Sequence, residues 1–226
     1  MADPSLFEAY FNQRKLNNPA FNYERGRGFV PSESSQQIVN KFKEVTGKDL
    51  NLQPANSVMA NEGVPLWGGG GGFAPWNEKN VGYVDPLMGN AHVVAHEGAH
   101  ALMGSPAMQR GALQGNFLMD PLKVPRDTGQ RFRYVHETLA KPWMEEEANA
   151  QGIAYGILNK LGIPNEEAWE TPTAYPKTFL DKGAGTYTKT EIGPPSPDER
   201  REMNVILRSA DPFLQRMFNR GYNLVK

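Results

Sequence analysis

The chain has 226 residues and nearly balanced charge, with 24 basic and 25 acidic side chains, so nothing favours binding to nucleic acid or to a membrane surface. It has no cysteine, which excludes disulfides and thiolate metal sites, and any metal must be held by histidine and carboxylate groups. No apolar stretch approaches the roughly 20 residues that cross a bilayer, and the first residues do not resemble a signal peptide. We expect one domain with extensions, located in the cytoplasm or in a particle assembled there.

Residues 1–33 form the first extension. They are polar and only weakly periodic, yet too rich in aromatic residues for a plain disordered tail. Basic residues are too sparse in this stretch to indicate nucleic-acid binding. We expect an N-terminal arm that docks on the rest of the chain or on a protein partner.

Residues 34–164 carry the predicted core. A helix is predicted to begin at Ser34, with Gln37 at capping-box spacing, and to end at Gly47. Three short strands are predicted to follow, at residues 50–52, 57–59 and 81–84. The five glycines at 68–72 are flanked by aromatic residues, which is typical of a flexible connector or of a mobile lip over a cleft.

The most informative pattern is His96-Glu97-Gly98-Ala99-His100. It lies in an apolar run that Asn90 can cap and that Gly104 can end, so the run is predicted to be a helix. Residues four apart share a helix face, so two imidazoles at this spacing can hold one Zn²⁺ from the same side. Glu97 is then placed to take a proton from a metal-activated water. The pattern therefore predicts a zinc hydrolase, most simply a peptidase.

His92 lies one turn before His96 and requires a separate interpretation. His92 and His100 would be about 12 Å apart along the helix axis, at 1.5 Å per residue, so both cannot bind one ion. The pair His92/His96 would have no acid directly after its first histidine. We therefore expect His92 to lie beside the ligands or on the substrate side rather than to bind the metal.

A catalytic zinc ion needs a third protein ligand and an open position. The acidic candidates are Glu145, Glu146 and Glu147, at the start of a second predicted helix that runs from Pro142 to Gly162. All three lie where a helix dipole favours negative charge, so they could also simply be solvated. Given the histidine pair upstream, we expect one of them to be a ligand.

The histidine–glutamate motif followed by a helix that reads Glu147-Ala148-Asn149 resembles the gluzincins, and most closely the ImmA/IrrE-like regulatory zinc peptidases. The resemblance covers roughly residues 81–161. It implies an α+β zincin-like domain with a small mixed sheet, an active-site helix and a second ligand-bearing helix. It also implies a zinc ion bound by His96, His100 and Glu147.

The same resemblance makes Glu97 the general base, Glu146 the alternative third ligand, and Gln151 a partner for a ligand imidazole. Two features depart from related patterns. The stretch between His100 and Glu147 is long and rich in glycine and proline, which leaves the branch of gluzincins open. Met103 and Pro106 stand where metzincins have a glycine and a third histidine, which argues against that group.

Zinc peptidases also need a donor for the oxyanion of the tetrahedral intermediate. His136 and Tyr134, on a predicted helix at 131–139, are the candidates, and Tyr155 is a further one because it lies eight residues after Glu147. A surface histidine paired with a carboxylate is the simpler explanation for His136.

Residues 165–226 form the predicted C-terminal helical extension. One helix is predicted to begin at Ser196 and another at Asp211, each with an apolar face typical of packing rather than chemistry.

Two functions fit these patterns. The first is zinc-dependent hydrolysis of a peptide or protein substrate, with Glu97 as the general base. The second is a catalytically silent structural or assembly protein that keeps a zincin fold and a zinc site. The aromatic arm, the glycine run, and the 23 glycines and 18 prolines favour the second.

Overall fold

A computed structural model describes Ala9 and residues 17–55, 71–73, 81–87, 89–104, 141–164 and 197–226. In this part of the chain the protein is α+β, with four helices and two small sheets. The strands are β1 (Phe21–Glu24), β2 (Gly28–Pro31), β3 (Asn51–Pro54), β4 (Gly71–Phe73) and β5 (Val81–Val84). The helices are α1 (Glu33–Thr46), α2 (Ala91–Met103), α3 (Lys141–Leu161) and α4 (Pro197–Leu224).

The described residues belong to two compact units. The first contains the described residues up to Gly104, residues 153–164 and the terminal Val225–Lys226. The second contains residues 141–152 and 197–224. The boundary falls within α3, which is nevertheless one continuous helix.

The described part of the N-terminal arm contains regular secondary structure. Strands β1 and β2 form an antiparallel hairpin in which Phe21 is fully buried. The residues just before β1 pair with the chain that enters α2, because the Asn18 carbonyl accepts from the Ala91 N–H at 2.8 Å and the Ala20 N–H donates to the Gly89 carbonyl at 2.9 Å. This part of the arm therefore packs on its own chain.

Helix α1 begins at Glu33, one residue before the predicted start, and its N-cap lies two residues before the predicted one. Its N-cap is Ser32, whose extended backbone lets the side chain accept from the Ser35 N–H at 3.2 Å, so the capping box predicted at Ser34 is wrong. The predicted end is confirmed, since Gly47 adopts the left-handed conformation with φ of 69°. Ile38 and Phe42 bury the inner face of the helix.

The larger sheet is small and mixed, as predicted. Its strand order is β3-β5-β4, with β3 parallel and β4 antiparallel to the central strand. The strand predicted at 81–84 is confirmed and is buried along its whole length. Strands β4 and β5 both pack against α2.

Two glycines of the run lie in a strand, which neither interpretation of the run predicted. Gly71 and Gly72 belong to β4 and pair with Val84 and Tyr83, because glycine can adopt extended backbone and this segment lies against β5. Residues 68–70 and the strand predicted at 57–59 lie outside the described residues.

The second predicted helix is confirmed, with Lys141 as its first residue and Gly162, at φ of 66°, just after its end. The two helices predicted near the C-terminus are instead one helix, α4, which contains Pro212. Proline removes one backbone hydrogen bond but does not forbid helical dihedral angles. Beyond it, the side chains of Leu214 and Phe218 are buried. None of the described helices is long and apolar enough to cross a bilayer.

Within the second unit, glycines allow α3 and α4 to approach closely. A methyl group on Gly152 would overlap the carbonyl oxygen of Phe218 and lie 2.8 Å from the Tyr222 nitrogen. A methyl group on Gly221 would likewise overlap the carbonyl oxygen of Asn149. Two backbones therefore meet where no side chain fits.

We predict that Gly152→Ala lowers the free energy of unfolding by about 1–3 kcal/mol, because overpacking outweighs the gain in helix propensity of about 1 kcal/mol. Urea unfolding followed by circular dichroism measures this. Asn223→Ala, at an exposed position of α4, is the matched control and should be neutral or slightly stabilising. An unchanged or increased stability for Gly152→Ala would contradict the close approach.

Candidate metal centre

Helix α2 has two functionally different faces. Asn90 caps it by accepting from the Val93 N–H at 3.1 Å, and all but one of the residues at 91–101 are buried. At about 100° per residue, Gly98 lies opposite the face shared by His96 and His100. A methyl group on Gly98 would lie 2.7 Å from Phe42 Cε2 and 2.8 Å from a Leu50 methyl carbon. The helix is therefore fixed from behind, and its histidine face is directed away from α1.

Three side chains with metal-ligating atoms meet on that face. His96, His100 and Glu147 each offer one ligand atom, and these atoms all lie within 4.8 Å of one another. The two imidazoles face each other through their Nε2 atoms, which are 3.1 Å apart. The three residues are 6%, 1% and 3% exposed. This buried group could hold a metal ion, and it consists of the three residues predicted as ligands.

Glu147 joins the group, and Glu146 does not, although both are buried. Helix α3 begins at Lys141, so these residues lie beyond its first turn, where the helix dipole has largely lost its effect. The dipole therefore does not account for their burial, and the expectation that all three acids might simply be solvated is wrong for these two. Among the described residues, His96, His100 and Glu147 are the one set that could jointly hold a metal ion.

Glu97 flanks the metal-ligating face of α2. It is 8% exposed, and it lies about 60° round the helix from His100 and about 100° from His96. Its side is turned to the sheet, because a methyl group on Gly82 of β5 would be 3.7 Å from Glu97 Cβ. The Glu97 side chain therefore leaves α2 on the side that faces β5, next to the metal-ligating group.

His92 continues the row of histidines by one turn. Its ring stacks on that of His96, with centroids 6.3 Å apart, and the ring of Tyr155 meets it edge-on at 5.8 Å. His92 is not in the metal-ligating group, as predicted from its distance to His100. The row of rings therefore continues from His92 to Tyr155 of α3, which belongs to the same compact unit.

Sequence reasoning did not foresee the contact between His92 and Tyr155. The signal in the sequence was the eight-residue spacing that separates His92 from His100 and also Glu147 from Tyr155. Gln151, the predicted partner of a ligand imidazole, lies midway between Glu147 and Tyr155 and is fully buried. The oxyanion candidates Tyr134 and His136 lie outside the described residues.

No protein-family model, curated protein or solved structure matches this chain.

We predict that Glu147→Ala abolishes stoichiometric metal binding, whereas Glu146→Ala retains it. Removing one of three ligands leaves only the two imidazoles, and the neighbouring acid begins about 100° away round the helix. Metal content after reconstitution with zinc and desalting, measured by plasma emission spectrometry, tests this. Metal loss in Glu146→Ala alone would transfer the ligand role to that residue.

Proposed function

We propose that this chain is a zinc-dependent peptidase of gluzincin type, in which His96, His100 and Glu147 hold the metal and Glu97 is the general base. The observation that carries the proposal is the buried group of two imidazoles and one carboxylate on α2 and α3, with a second buried carboxylate directly after the first ligand. Its expected substrate is a peptide or a protein.

The donor set fits zinc. Two nitrogens and one oxygen are donors that zinc accepts, and two His ligands with one Glu ligand form one of its known hydrolytic sets. With zinc–nitrogen distances of roughly 2.0–2.1 Å and a tetrahedral angle, the two nitrogens would be about 3.3 Å apart. The observed separation of 3.1 Å between the Nε2 atoms is close to that value.

Three protein ligands support a catalytic rather than a structural site. Structural zinc sites are closed by four protein ligands, whereas catalytic sites keep one position open for water or substrate. The described residues supply three ligands, and the residue beside them is an acid. When bound, zinc would polarise the scissile carbonyl and lower the pKa of a water at the open position toward neutrality.

Glu97 performs the proton transfers in this scheme. Its carboxylate accepts a proton from the attacking water and then donates it to the leaving amine nitrogen, so no net proton is gained or lost by the enzyme. Low exposure favours this role, because a carboxylate in a drier environment is a stronger hydrogen-bond acceptor and its charge is less screened. Tyr134 and His136 stay predictions for the oxyanion donor.

The second candidate function is structural, with the zinc ion serving stability in a protein that forms an assembly. The observation that favours it is the low exposure of all three ligands, at 1–6%, since a catalytic site must admit substrate. Under this alternative, zinc removal would lower the melting temperature strongly, the chain would form a stable oligomer or complex, and no peptide would be cleaved.

We predict that Glu97→Gln keeps one zinc ion per chain and reduces peptide hydrolysis at least about 100-fold, because the amide cannot accept a proton. Cleavage of a mixed fluorogenic peptide library, read together with zinc content, measures both effects. Glu145→Gln, the same change on α3 outside the group, is the matched control and should keep full activity.

Two outcomes would exclude the catalytic proposal. Full turnover in Glu97→Gln would remove the general base. A zinc-loaded wild type that cleaves no peptide, but loses much of its thermal stability when zinc is removed, would establish the structural alternative.

A further inference from the structure

His92 and Tyr155 form a contact that metal ligation itself does not require. His92 is 6% exposed and lies one turn before the first ligand. Helix capping does not explain it, because Asn90 already caps α2 through the Val93 N–H. Metal ligation does not explain it either, since it lies about 12 Å along the axis from His100.

The rings on α2 and α3 form a continuous column that ends at the metal-ligating group. Tyr155 meets His92 edge-on at 88°, His92 stacks on His96 at 24°, and His96 meets His100 at 77°. The successive centroid distances are 5.8, 6.3 and 4.7 Å. All three fall within the range of roughly 4.5–7 Å over which rings attract each other in stacked or edge-on arrangements.

The place of His96 in this column is important because a ligand imidazole must keep its ring plane directed toward the metal. Proteins usually fix that plane with a hydrogen bond to the other ring nitrogen. A neighbouring ring that lies nearly parallel to it restricts the same rotation about the Cβ–Cγ bond. We infer that His92, braced by Tyr155, is a positioning residue that holds the His96 imidazole in its metal-binding orientation.

Tyr155 makes the brace specific to the paired helices. It projects from α3, which also carries Glu147, and it lies about two turns after that residue. One helix therefore contributes both a ligand and the support for a ligand on the other helix. The inference rests on the metal-ligating group and does not depend on peptide hydrolysis.

The test is zinc affinity, measured by competition with a chromophoric chelator on the full chain. His92→Ala and Tyr155→Ala should each weaken zinc binding by about tenfold, the lower end of the effect of supporting residues around metal ligands. His92→Phe and Tyr155→Phe keep the rings and should bind zinc as tightly as wild type. Val93→Ala shortens an adjacent side chain, the one at positions 91–101 that is not buried, and is the matched control.

A spectroscopic readout separates positioning from general destabilisation. Co²⁺ substituted into the site reports ligand orientation through its visible absorption, which should change in His92→Ala and be restored in His92→Phe. Circular dichroism of the metal-free variants checks that each is folded. The double variant His92→Ala/Tyr155→Ala should be little worse than either single variant, because both remove the same support.

Three results would overturn the inference. The first is zinc affinity in both alanine variants equal to that of wild type. The second is a His92→Phe variant as weak as His92→Ala, which would assign the effect to the imidazole nitrogens. The third is a wild type that binds no zinc, which would overturn the proposed function as well. In the first two cases a wild type with one bound zinc would leave the proposed function standing.

Discussion

The rotation of α2 about its own axis is the constraint on which the candidate site depends. Gly98 packs so closely against Phe42 and Leu50 that a single methyl group would overlap both. That contact fixes one face of the helix against α1 and Leu50, and thereby directs His96 and His100 the opposite way. The glycine within the motif is thus a packing residue, and the two variable positions of the motif are not equivalent here.

A second close contact involves α3, a helix of 21 residues. Its middle approaches α4 at Gly152, and Gly221 of α4 approaches Asn149, so two backbones meet directly. Further along, the ring of Tyr155 packs against that of His92. Of the three consecutive glutamates on this helix, Glu147 is the one that offers a ligand atom together with the two histidines.

Burial has opposite implications for the two candidate functions. One carboxylate and two imidazoles gathered in a place almost inaccessible to water are compatible with a bound cation in either function. The same low exposure restricts access by a substrate. Three ligands and a neighbouring buried acid fit catalysis, whereas the low exposure of those ligands fits a structural role. Zinc binding alone therefore cannot separate the two functions, and the Glu97 variant is the more decisive experiment.

The sequence by itself determined the local structure around the site. Periodicity, Asn90 and Gly104 define α2, Gly162 ends α3, and the apolar residues 81–84 form β5, because caps, glycines and hydrophobic runs act within a few residues. It also predicted the histidine pair and the preferred glutamate. It missed the N-cap of α1, where three nearby serines offer equivalent hydroxyls, and the continuity of α4 through Pro212.

Only the tertiary structure decided what depends on contacts between distant segments. These are the pairing of Gly71 and Gly72 with β5, the attachment of the arm to the start of α2, and the contact of Tyr155 with His92. The grouping of the Glu147 ligand atom with those of His96 and His100 also belongs here. No local rule supplies these contacts, because each of them joins residues that are far apart in the sequence.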